Sequence, residues 1–276
     1  MAVIELQKVE KEYQTERGKS VTALDGIDLS IDRQEFVCLL GPSGCGKSTL
    51  LRLMSGLEKP TGGALRVLDR PVTKPVPEAQ VVFQEYSLMP WRDVLGNVEM
   101  GLELRHVPAE ERKKKALEIL GTFGLADFTK SFPYELSGGM QQRVAIARAM
   151  ATDPDILYMD EPFGALDAHT RFQMQQELLT FWLSARKTVV FVTHSIEEAL
   201  FLGTRIIVMS GRPGKILRDL KVELPYPRDR WSPEFGKLFQ QVMADMGDGH
   251  DGGQPPAPSD DDGPRAPGRY TQASCC

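Results

Sequence analysis

The chain has 276 residues, of which 41% are hydrophobic and 26% are charged, so its composition is that of a folded globular protein rather than a disordered chain. The net charge of −5 argues against a large nucleic-acid-binding surface, and the four cysteines lack the number and spacing of a disulfide or zinc scaffold. No apolar run approaches the ~18 residues of a membrane span, and the first residues do not resemble a signal peptide, so we expect a cytosolic or peripheral protein.

Short apolar runs alternate with amphipathic segments along most of the chain. Residues 4–9 alternate between apolar and polar, which is typical of a half-buried strand, whereas continuous apolar runs predict buried strands. The predicted buried strands are residues 36–40, 81–83, 156–159, 189–192 and 206–209. Apolar residues at helical spacing predict helices at residues 47–55, 110–123 and around 174–182. This alternation of strands and helices predicts an α/β fold with a parallel sheet.

A glycine-rich loop follows the predicted strand 36–40. It has the sequence Gly41-Pro42-Ser43-Gly44-Cys45-Gly46-Lys47-Ser48, followed by Thr49, and it matches the phosphate-binding pattern G-x-x-x-x-G-K-[ST]. Glycines allow backbone N–H groups to approach phosphates closely, and the next helix adds the positive end of its dipole. We expect Lys47 to contact the β- and γ-phosphates of a bound nucleotide and Ser48 to bind Mg²⁺.

Two carboxylates end the predicted strand 156–159. Asp160 and Glu161 are placed by a parallel strand at the edge of the sheet where ligands bind. Asp160 is therefore a candidate ligand of Mg²⁺, and Glu161 is a candidate base that activates water for attack on the γ-phosphate. By itself this acidic pair would more often be a solvated loop, and it becomes informative because the phosphate-binding loop is present.

A second glycine-containing segment, Leu136-Ser137-Gly138-Gly139-Met140-Gln141-Gln142-Arg143, lies upstream of this strand. Ser137 is suited to cap a helix over about 138–150, whose first N–H groups form a second anion-binding end. With the phosphate-binding loop and Asp160-Glu161, this segment resembles the signature of the nucleotide-binding subunits of ABC transporters. The resemblance implies a P-loop NTPase of the α/β class, with a RecA-like core lobe, an antiparallel β lobe and a helical lobe at about 91–150.

The resemblance also implies how two chains work together. Ser137 and Gly139 would contact the ATP bound by a second copy, so the active unit would be a head-to-tail homodimer with two ATP molecules at its seam. Asp167, which ends the sequence Gly164-Ala165-Leu166-Asp167, would lie on that seam.

Three further positions match the family in order. Gln84 resembles the glutamine that senses Mg²⁺ or the attacking water, and His194 resembles the histidine that contacts the γ-phosphate. Tyr13 resembles the aromatic residue that stacks on adenine, with simple packing as the alternative. Ser195 and Glu198 have the spacing of a capping box, which predicts that His194 lies at a strand-to-helix turn.

Three segments resemble the nitrate, sulfonate and taurine importers within this family: Met89-Pro90-Trp91, residues 163–167 and Met209-Ser210-Gly211-Arg212-Pro213-Gly214. The resemblance implies an ATPase that energises import of a small solute through separate membrane permease subunits, with a solute-binding protein acting indirectly. The ATPase would be peripheral, at the cytoplasmic face of the plasma membrane. Residues 85–91 resemble the surface that receives the permease, and hinge packing is the alternative interpretation of their apolar side chains.

Other functions are considered against this interpretation. A soluble ABC ATPase that acts on nucleic acid or the ribosome would usually carry coiled-coil insertions or a second cassette, and the sequence has neither, so no nucleic-acid partner is expected. An ABC ATPase that serves another type of permease stays open. A P-loop kinase is disfavoured by the signature segment.

The composition changes near the carboxyl end. Residues 247–276 are rich in Gly, Pro and Asp and contain almost no aliphatic side chains, so they predict a disordered acidic tail. Residues 1–246 would then form the ABC ATPase domain.

Overall fold

The computed structural model describes residues 1–14 and 18–247, in which two β-sheets are packed with helices. The strands are β1 (Ala2–Gln14), β2 (Ser20–Asp32), β3 (Phe36–Leu40), β4 (Gly62–Val67), β5 (Arg70–Pro71), β6 (Ala79–Val82), β7 (Ile156–Asp160), β8 (Thr188–Thr193), β9 (Arg205–Met209) and β10 (Ile216–Lys221). The α-helices are α1 (Lys47–Met54), α2 (Val94–Leu104), α3 (Ala109–Thr122), α4 (Gly138–Ala151), α5 (Ala168–Ala185), α6 (Ile196–Leu202) and α7 (Pro233–Gly247). Within these ranges, no helix has the length and apolar character needed to cross a membrane.

The larger sheet has six strands in the order β10–β9–β3–β8–β7–β6. Neighbouring strands from β9 to β6 are parallel, and β10 pairs antiparallel with β9. Because β3, β8 and β7 are adjacent and parallel, their carboxyl ends meet at one edge of the sheet. This edge brings together the phosphate-binding loop, the Asp160-Glu161 pair and His194.

This sheet is buried on both faces, which explains the continuous apolar sequence of β3. Val37 and Leu39 of β3 belong to a core that they share with α1 and the smaller sheet. Phe36, Cys38 and Leu40 belong to a second core on the opposite face, with apolar residues of α2 to α7. The sheet therefore lies between the smaller sheet with α1 and the remaining helices.

The smaller sheet is antiparallel and has the order β2–β1–β4–β5. Buried residues alternate with exposed ones in the second half of β2, where Ile27, Leu29 and Ile31 point into the core. The other face of this part of the sheet is exposed, as expected for an antiparallel sheet that covers a core on one side. This sheet places Tyr13, near the end of β1, beside the phosphate-binding loop.

Helices α2, α3 and α4 form the helical lobe between β6 and β7. The face predicted for α3 is buried at Ala116, Leu120 and Phe123, and Ile119 is partly buried. Asp93 caps the start of α2 by accepting a hydrogen bond from the backbone N–H of Gly96 at 2.7 Å, which satisfies one of the free amides of that helix end.

The predicted elements agree closely with these bounds, and the differences lie where local pattern is weak. The strand predicted at residues 4–9 runs from Ala2 to Gln14, β6 begins at Ala79 and leaves out Phe83, and the helix predicted around 174–182 is the longer α5. Strands β2, β4, β5 and β10 and helices α2 and α7 were not predicted individually from the sequence. The predicted tail 247–276 lies outside the described residues, except for Gly247, which ends α7 and so extends the folded region one residue past the predicted boundary.

Candidate active site

The phosphate-binding loop connects β3 to α1 and depends on glycine geometry. Gly44 has φ 77° and Gly46 has φ 101°, a left-handed conformation that residues with a side chain adopt rarely. A Cβ atom at Gly46 would lie 2.8 Å from Leu24 Cδ2, so the loop is packed tightly against β2. The glycines thus turn the backbone so that α1 starts at Lys47, as predicted.

The side chain of Lys47, the first residue of α1, is buried against this loop. Its Nζ donates hydrogen bonds to the carbonyl oxygens of Gly41, at 2.8 Å, and Pro42, at 2.9 Å. A buried ammonium group needs such partners because the loss of hydration is otherwise costly. The loop therefore holds a positive charge within reach of any anion that enters it.

Ser48 and Asp160 are brought together from a helix and a strand that are distant in sequence. The Ser48 hydroxyl, at the start of α1, donates a hydrogen bond of 2.8 Å to Asp160 Oδ1, at the end of β7. Burial raises the pKa of the Asp160 carboxyl, and the hydrogen bond from Ser48 acts in the opposite direction. An oxygen-only pair of this kind suits Mg²⁺, which takes one or two protein carboxylates and completes its shell with water and phosphate.

The protein groups around this pair are too few to enclose a metal ion completely, which suits Mg²⁺ bound together with a substrate. In the described part of the chain, no group of three or more His, Cys, Asp or Glu side chains is arranged to hold a metal. Ser48, Asp160 and the nearby Gln84 amide supply a few oxygen ligands and leave the rest to a substrate. The residues present therefore fit Mg²⁺ bound together with nucleotide phosphates.

Glu161 and His194 meet at the same sheet edge. His194 Nδ1 lies 3.2 Å from Glu161 Oε2, and the backbone N–H of Glu161 donates to the carbonyl oxygen of Val192 in the neighbouring strand. Glu161 has φ 44°, a left-handed conformation that is strained for a residue with a side chain. At this turn the chain leaves β7, and Glu161 lines the same recess as Lys47 and Ser48.

A cavity of about 370 Å³ lies beside these groups; Glu161 lines it, whereas His194 does not line it and reaches it only through its contact with Glu161. Most of its lining residues are among the predicted nucleotide-binding residues: Tyr13, Ser43, Gly44, Gly46, Lys47, Ser48, Thr49, Gln84 and Glu161. Gly41, Pro42, Cys45 and Asp160 lie behind the lining, in the loop and strand that shape it. One chain therefore assembles a single recess from β1, the phosphate-binding loop, the segment after β6 and the end of β7.

The cavity also includes three residues that the sequence analysis did not assign to the site: Val21, Ala23 and Arg212. Val21 and Ala23 are two apart on β2, so their common face follows from strand periodicity once β2 is recognised. Arg212 belongs to a segment that the sequence analysis used only to compare importer groups. No local pattern places it beside the phosphate-binding loop.

Tyr13 is held at the mouth of the cavity by its own contacts. Its hydroxyl donates a hydrogen bond of 2.6 Å to Glu58 Oε2, and Lys11 Nζ lies 4.9 Å from the centre of one ring face. Partial burial raises the pKa of the Tyr13 hydroxyl, and the hydrogen bond to Glu58 raises it further. These contacts fix the plane of the ring, which is the property that a stacking platform needs.

The signature residues are not part of this cavity in a single chain. Ser137 caps α4 as predicted, by accepting a hydrogen bond from the backbone N–H of Met140 at 3.4 Å. A Cβ atom at Gly139 would lie 2.6 Å from Thr170 Cγ2, so the start of α4 packs against the start of α5. Neither Ser137 nor Gly139 lines the nucleotide cavity.

Asp167 has a clear structural role at the start of α5. Its Oδ1 accepts hydrogen bonds from the backbone N–H groups of His169, at 3.1 Å, and Thr170, at 3.0 Å. The bond from Thr170, with the other amide bonds, lowers the pKa of the Asp167 carboxyl. Asp167 therefore stays ionised next to the signature residues, on the surface of the single chain.

The capping box predicted after His194 is only half formed. Ser195 Oγ accepts the backbone N–H of Glu198 at 3.3 Å, as predicted. The Glu198 side chain does not return to the Ser195 backbone, and this part of the prediction is wrong. Instead it is buried and accepts hydrogen bonds from Gln175 Nε2, at 2.9 Å, and Thr193 Oγ1, at 2.5 Å, because those buried donors need an acceptor.

Known proteins share this combination of fold and motifs. The sequence profile of the ABC transporter family matches residues 24–164, which include the phosphate-binding loop, the signature segment and the acidic pair. The chain belongs to the ABC transporter family. The prediction of an ABC-type ATP-binding subunit is thereby confirmed.

Relatives of this ABC protein align over most of their length. It is 48% identical to the taurine import ATP-binding protein of Rhizobium johnstonii, over 82% of this chain and 90% of that protein. It is 44% identical to the nitrate import ATP-binding protein of Synechocystis and 41% identical to the aliphatic sulfonates import ATP-binding protein of Bacillus cereus, over 87% of this chain and 94% of each relative. The predicted resemblance to this importer group is confirmed.

A solved structure supports the fold of this ABC protein. An ATP-binding cassette in a dimeric post-hydrolysis state, bound to ADP and Pi, matches with a TM-score of 0.71 and 36% sequence identity. The match covers 80% of this chain and all of that one. The predicted α/β P-loop fold with three lobes is therefore confirmed.

Proposed function

We propose that this protein hydrolyses ATP and uses the energy to drive import of a small solute through a separate membrane permease. The observation that carries the proposal is that Lys47, Ser48 and Glu161 line one cavity, with Asp160 bonded to Ser48 and His194 beside Glu161. Phosphoryl transfer to water requires a cation, magnesium ligands and a base, and here the base lies beside a histidine.

Each of these residues has a defined task in the proposed reaction. Lys47 and the loop N–H groups bind the β- and γ-phosphates, with Nζ exchanging the carbonyl oxygens of the loop for phosphate oxygens. Ser48, Asp160 and Gln84 would hold Mg²⁺, which neutralises charge on the bound phosphates. Glu161 accepts a proton from the attacking water. His194 orients the Glu161 carboxylate, at 3.2 Å, and contacts the γ-phosphate.

The signature residues act in trans in this proposal. Ser137 and Gly139 do not line the cavity of their own chain, yet they lie at a capped helix start that suits an anion. A second copy in head-to-tail arrangement would place its Ser137 and Gly139 against the ATP bound by the first copy, with Asp167 at the interface between the two copies. The dimeric state named for the similar cassette supports this arrangement.

Import is the direction of transport supported by the relatives, whose names are taurine, sulfonate and nitrate import ATP-binding proteins. Residues 85–91 provide a surface for the permease, with Trp91 73% exposed beside the helical lobe. We place the protein at the cytoplasmic face of the plasma membrane, with a solute-binding protein acting through the permease. Residues 1–247 contain the ATPase domain, and residues 248–276 are an acidic tail.

The catalytic assignment is tested by Glu161→Gln, which keeps the shape of the side chain and removes the base. We expect ATP binding to be retained, hydrolysis to fall by about 10²–10⁴-fold, and an ATP-bound dimer to accumulate. Glu110→Gln, at an exposed position on the first turn of α3, is the matched control and should hydrolyse ATP at the wild-type rate. Rapid turnover by Glu161→Gln would refute the assignment.

The transport assignment is tested by isolating the protein from its native membranes in mild detergent. We expect it to be recovered with two permease subunits, and its ATPase rate to rise when the matching solute-binding protein and solute are added. Recovery with ribosomes or nucleic acid and without a permease would leave the ATPase chemistry intact and refute the import proposal.

A further inference from the structure

The loop between β9 and β10, residues 210–215, is fixed against the phosphate-binding loop. The backbone N–H of Gly214 donates to the carbonyl oxygen of Ala23 at 2.9 Å, and the N–H of Asp25 donates to the carbonyl oxygen of Gly214 at 3.1 Å. A Cβ atom at Gly214 would lie 2.2 Å from the carbonyl oxygen of Cys45, so only glycine allows this approach. The loop therefore has a set position relative to the cavity.

Hydrogen bonds within the loop add to this rigidity. Ser210 Oγ accepts the backbone N–H of Lys215 at 2.9 Å and lies 3.0 Å from the carbonyl oxygen of Pro213. Lys215 Nζ forms an ion pair of 2.8 Å with Asp25 on β2. Arg212 therefore lies on a loop whose other residues are held in place by hydrogen bonds and an ion pair.

Arg212 lines the nucleotide cavity and is exposed to solvent. Among the described residues, its guanidinium has no hydrogen-bond or ion-pair partner, whereas Lys47, the other cation of the cavity, is bound to loop carbonyls. An arginine fork with its donors free matches the oxygen geometry of a phosphate and binds it in a bidentate manner. The cavity thus contains a prepared anion-binding group that the proposed reaction does not yet use.

We propose that Arg212 is a nucleotide-binding residue whose guanidinium contacts the phosphates of the bound nucleotide at the rim of the cavity. The inference rests on the proposed ATPase function and extends it with a second protein cation. Because Arg212 lies on the β9–β10 loop, a bound nucleotide would also contact the loop that packs on β2. The contact adds affinity for ATP and ADP and none for the nucleoside.

The test compares Arg212→Ala, Arg212→Lys and wild type by calorimetric titration with ADP and with adenosine. ATP is titrated in the Glu161→Gln background to prevent turnover. We expect Arg212→Ala to raise the Kd for ADP and ATP about tenfold at low salt, because one charge-assisted contact is lost, and to leave the Kd for adenosine within about twofold. Arg212→Lys should recover part of the loss, and the effect should shrink at 0.5 M salt because exposed charges are screened.

Arg33→Ala is the matched control, since Arg33 is an exposed arginine in the turn before β3, at the end of that strand opposite to the phosphate-binding loop. It should bind all three ligands like wild type. The phosphate contact is refuted if Arg212→Ala leaves the Kd for ADP unchanged, or if it weakens ADP and adenosine binding equally. In either case the ATPase proposal stands as long as the wild-type protein binds ATP and ADP. If wild type binds neither ATP nor ADP, both proposals fall together.

Discussion

Asn97 offers a test of how residues 85–91, the proposed permease surface, are held in place. It is fully buried in α2, and its Nδ2 donates to the carbonyl oxygens of Met89, Arg92 and Asp93 at 3.0–3.1 Å. Its Oδ1 accepts the backbone N–H of Met89 at 2.8 Å. One amide therefore fixes the backbone on both sides of the exposed Trp91.

The cost of losing this amide follows from the bonds it makes. The two amide hydrogens are shared among three carbonyl oxygens, and the amide oxygen accepts one further bond. At about 1 kcal/mol for each of two donated bonds and one accepted bond, Asn97→Ala should reduce the free energy of unfolding by about 3 kcal/mol. For a domain of this size, that corresponds to a fall in Tm of about 6–12 °C.

Asn97→Asp separates the hydrogen bonds from the volume of the side chain. The aspartate can still accept the Met89 N–H, but its second oxygen would face the carbonyl oxygens that the amide group satisfied. We expect it to be at least as destabilising as Asn97→Ala at pH 7. Leu104→Ala, an exposed substitution at the end of the same helix, is the control and should change Tm by less than about 1 °C.

The assay is urea and thermal unfolding, combined with hydrogen exchange of residues 86–93. We also expect basal ATP hydrolysis to persist and permease-coupled transport to fall, because the disturbed segment lies outside the nucleotide cavity. A loss below about 0.5 kcal/mol with unchanged exchange at Met89 would refute the reasoning.

Three further predictions concern the nucleotide site. Burial holds the pKa of the Asp160 carboxyl in the folded protein above its value in the unfolded chain. The folded state therefore loses stability as pH rises from the unfolded pKa through the folded pKa. Asp160→Asn should raise the Tm of the nucleotide-free protein at pH 7, and this advantage should fade toward pH 4. An equal advantage at both pH values would contradict the cause. Tyr13→Ala should weaken ATP binding about 10–100-fold through loss of base stacking, whereas Tyr13→Phe should keep most of it, and equal losses in equilibrium titrations would exclude stacking. Gly214→Ala, which places a Cβ atom 2.2 Å from the Cys45 carbonyl oxygen, should cost at least about 1–3 kcal/mol in urea unfolding, and wild-type stability would show that the loop yields instead.

The local elements of the fold were predictable because each depends on short-range rules. The apolar run of β3 coincides with residues 36–40, and the helix predicted after Gly46 begins at Lys47. Ser137 caps α4 because a hydroxyl at that position satisfies a free amide whatever the rest of the chain does. Elements such as β2 and α7 were missed, since their patterns gain meaning only from the surfaces they cover.

The candidate site was predictable as a set of residue types and only partly as an arrangement. Gln84, Glu161 and the phosphate-binding loop share one cavity as expected, but Ser137 and Gly139 do not join them within one chain. Glu198 shows the limit of a spacing rule, because buried donors on β8 and α5 compete for its carboxylate. Such competition depends on which elements are neighbours.

The chemical groups of the site follow from local sequence: a loop that only glycines allow, a lysine and serine after it, and an acidic pair at a strand end. These features arise from backbone sterics and periodicity over a few residues. Which of these groups come into contact depends on the tertiary fold. The order β9–β3–β8–β7 brings Ser48 within 2.8 Å of Asp160 and places Arg212 at the same cavity, because strand order joins positions that no local pattern connects.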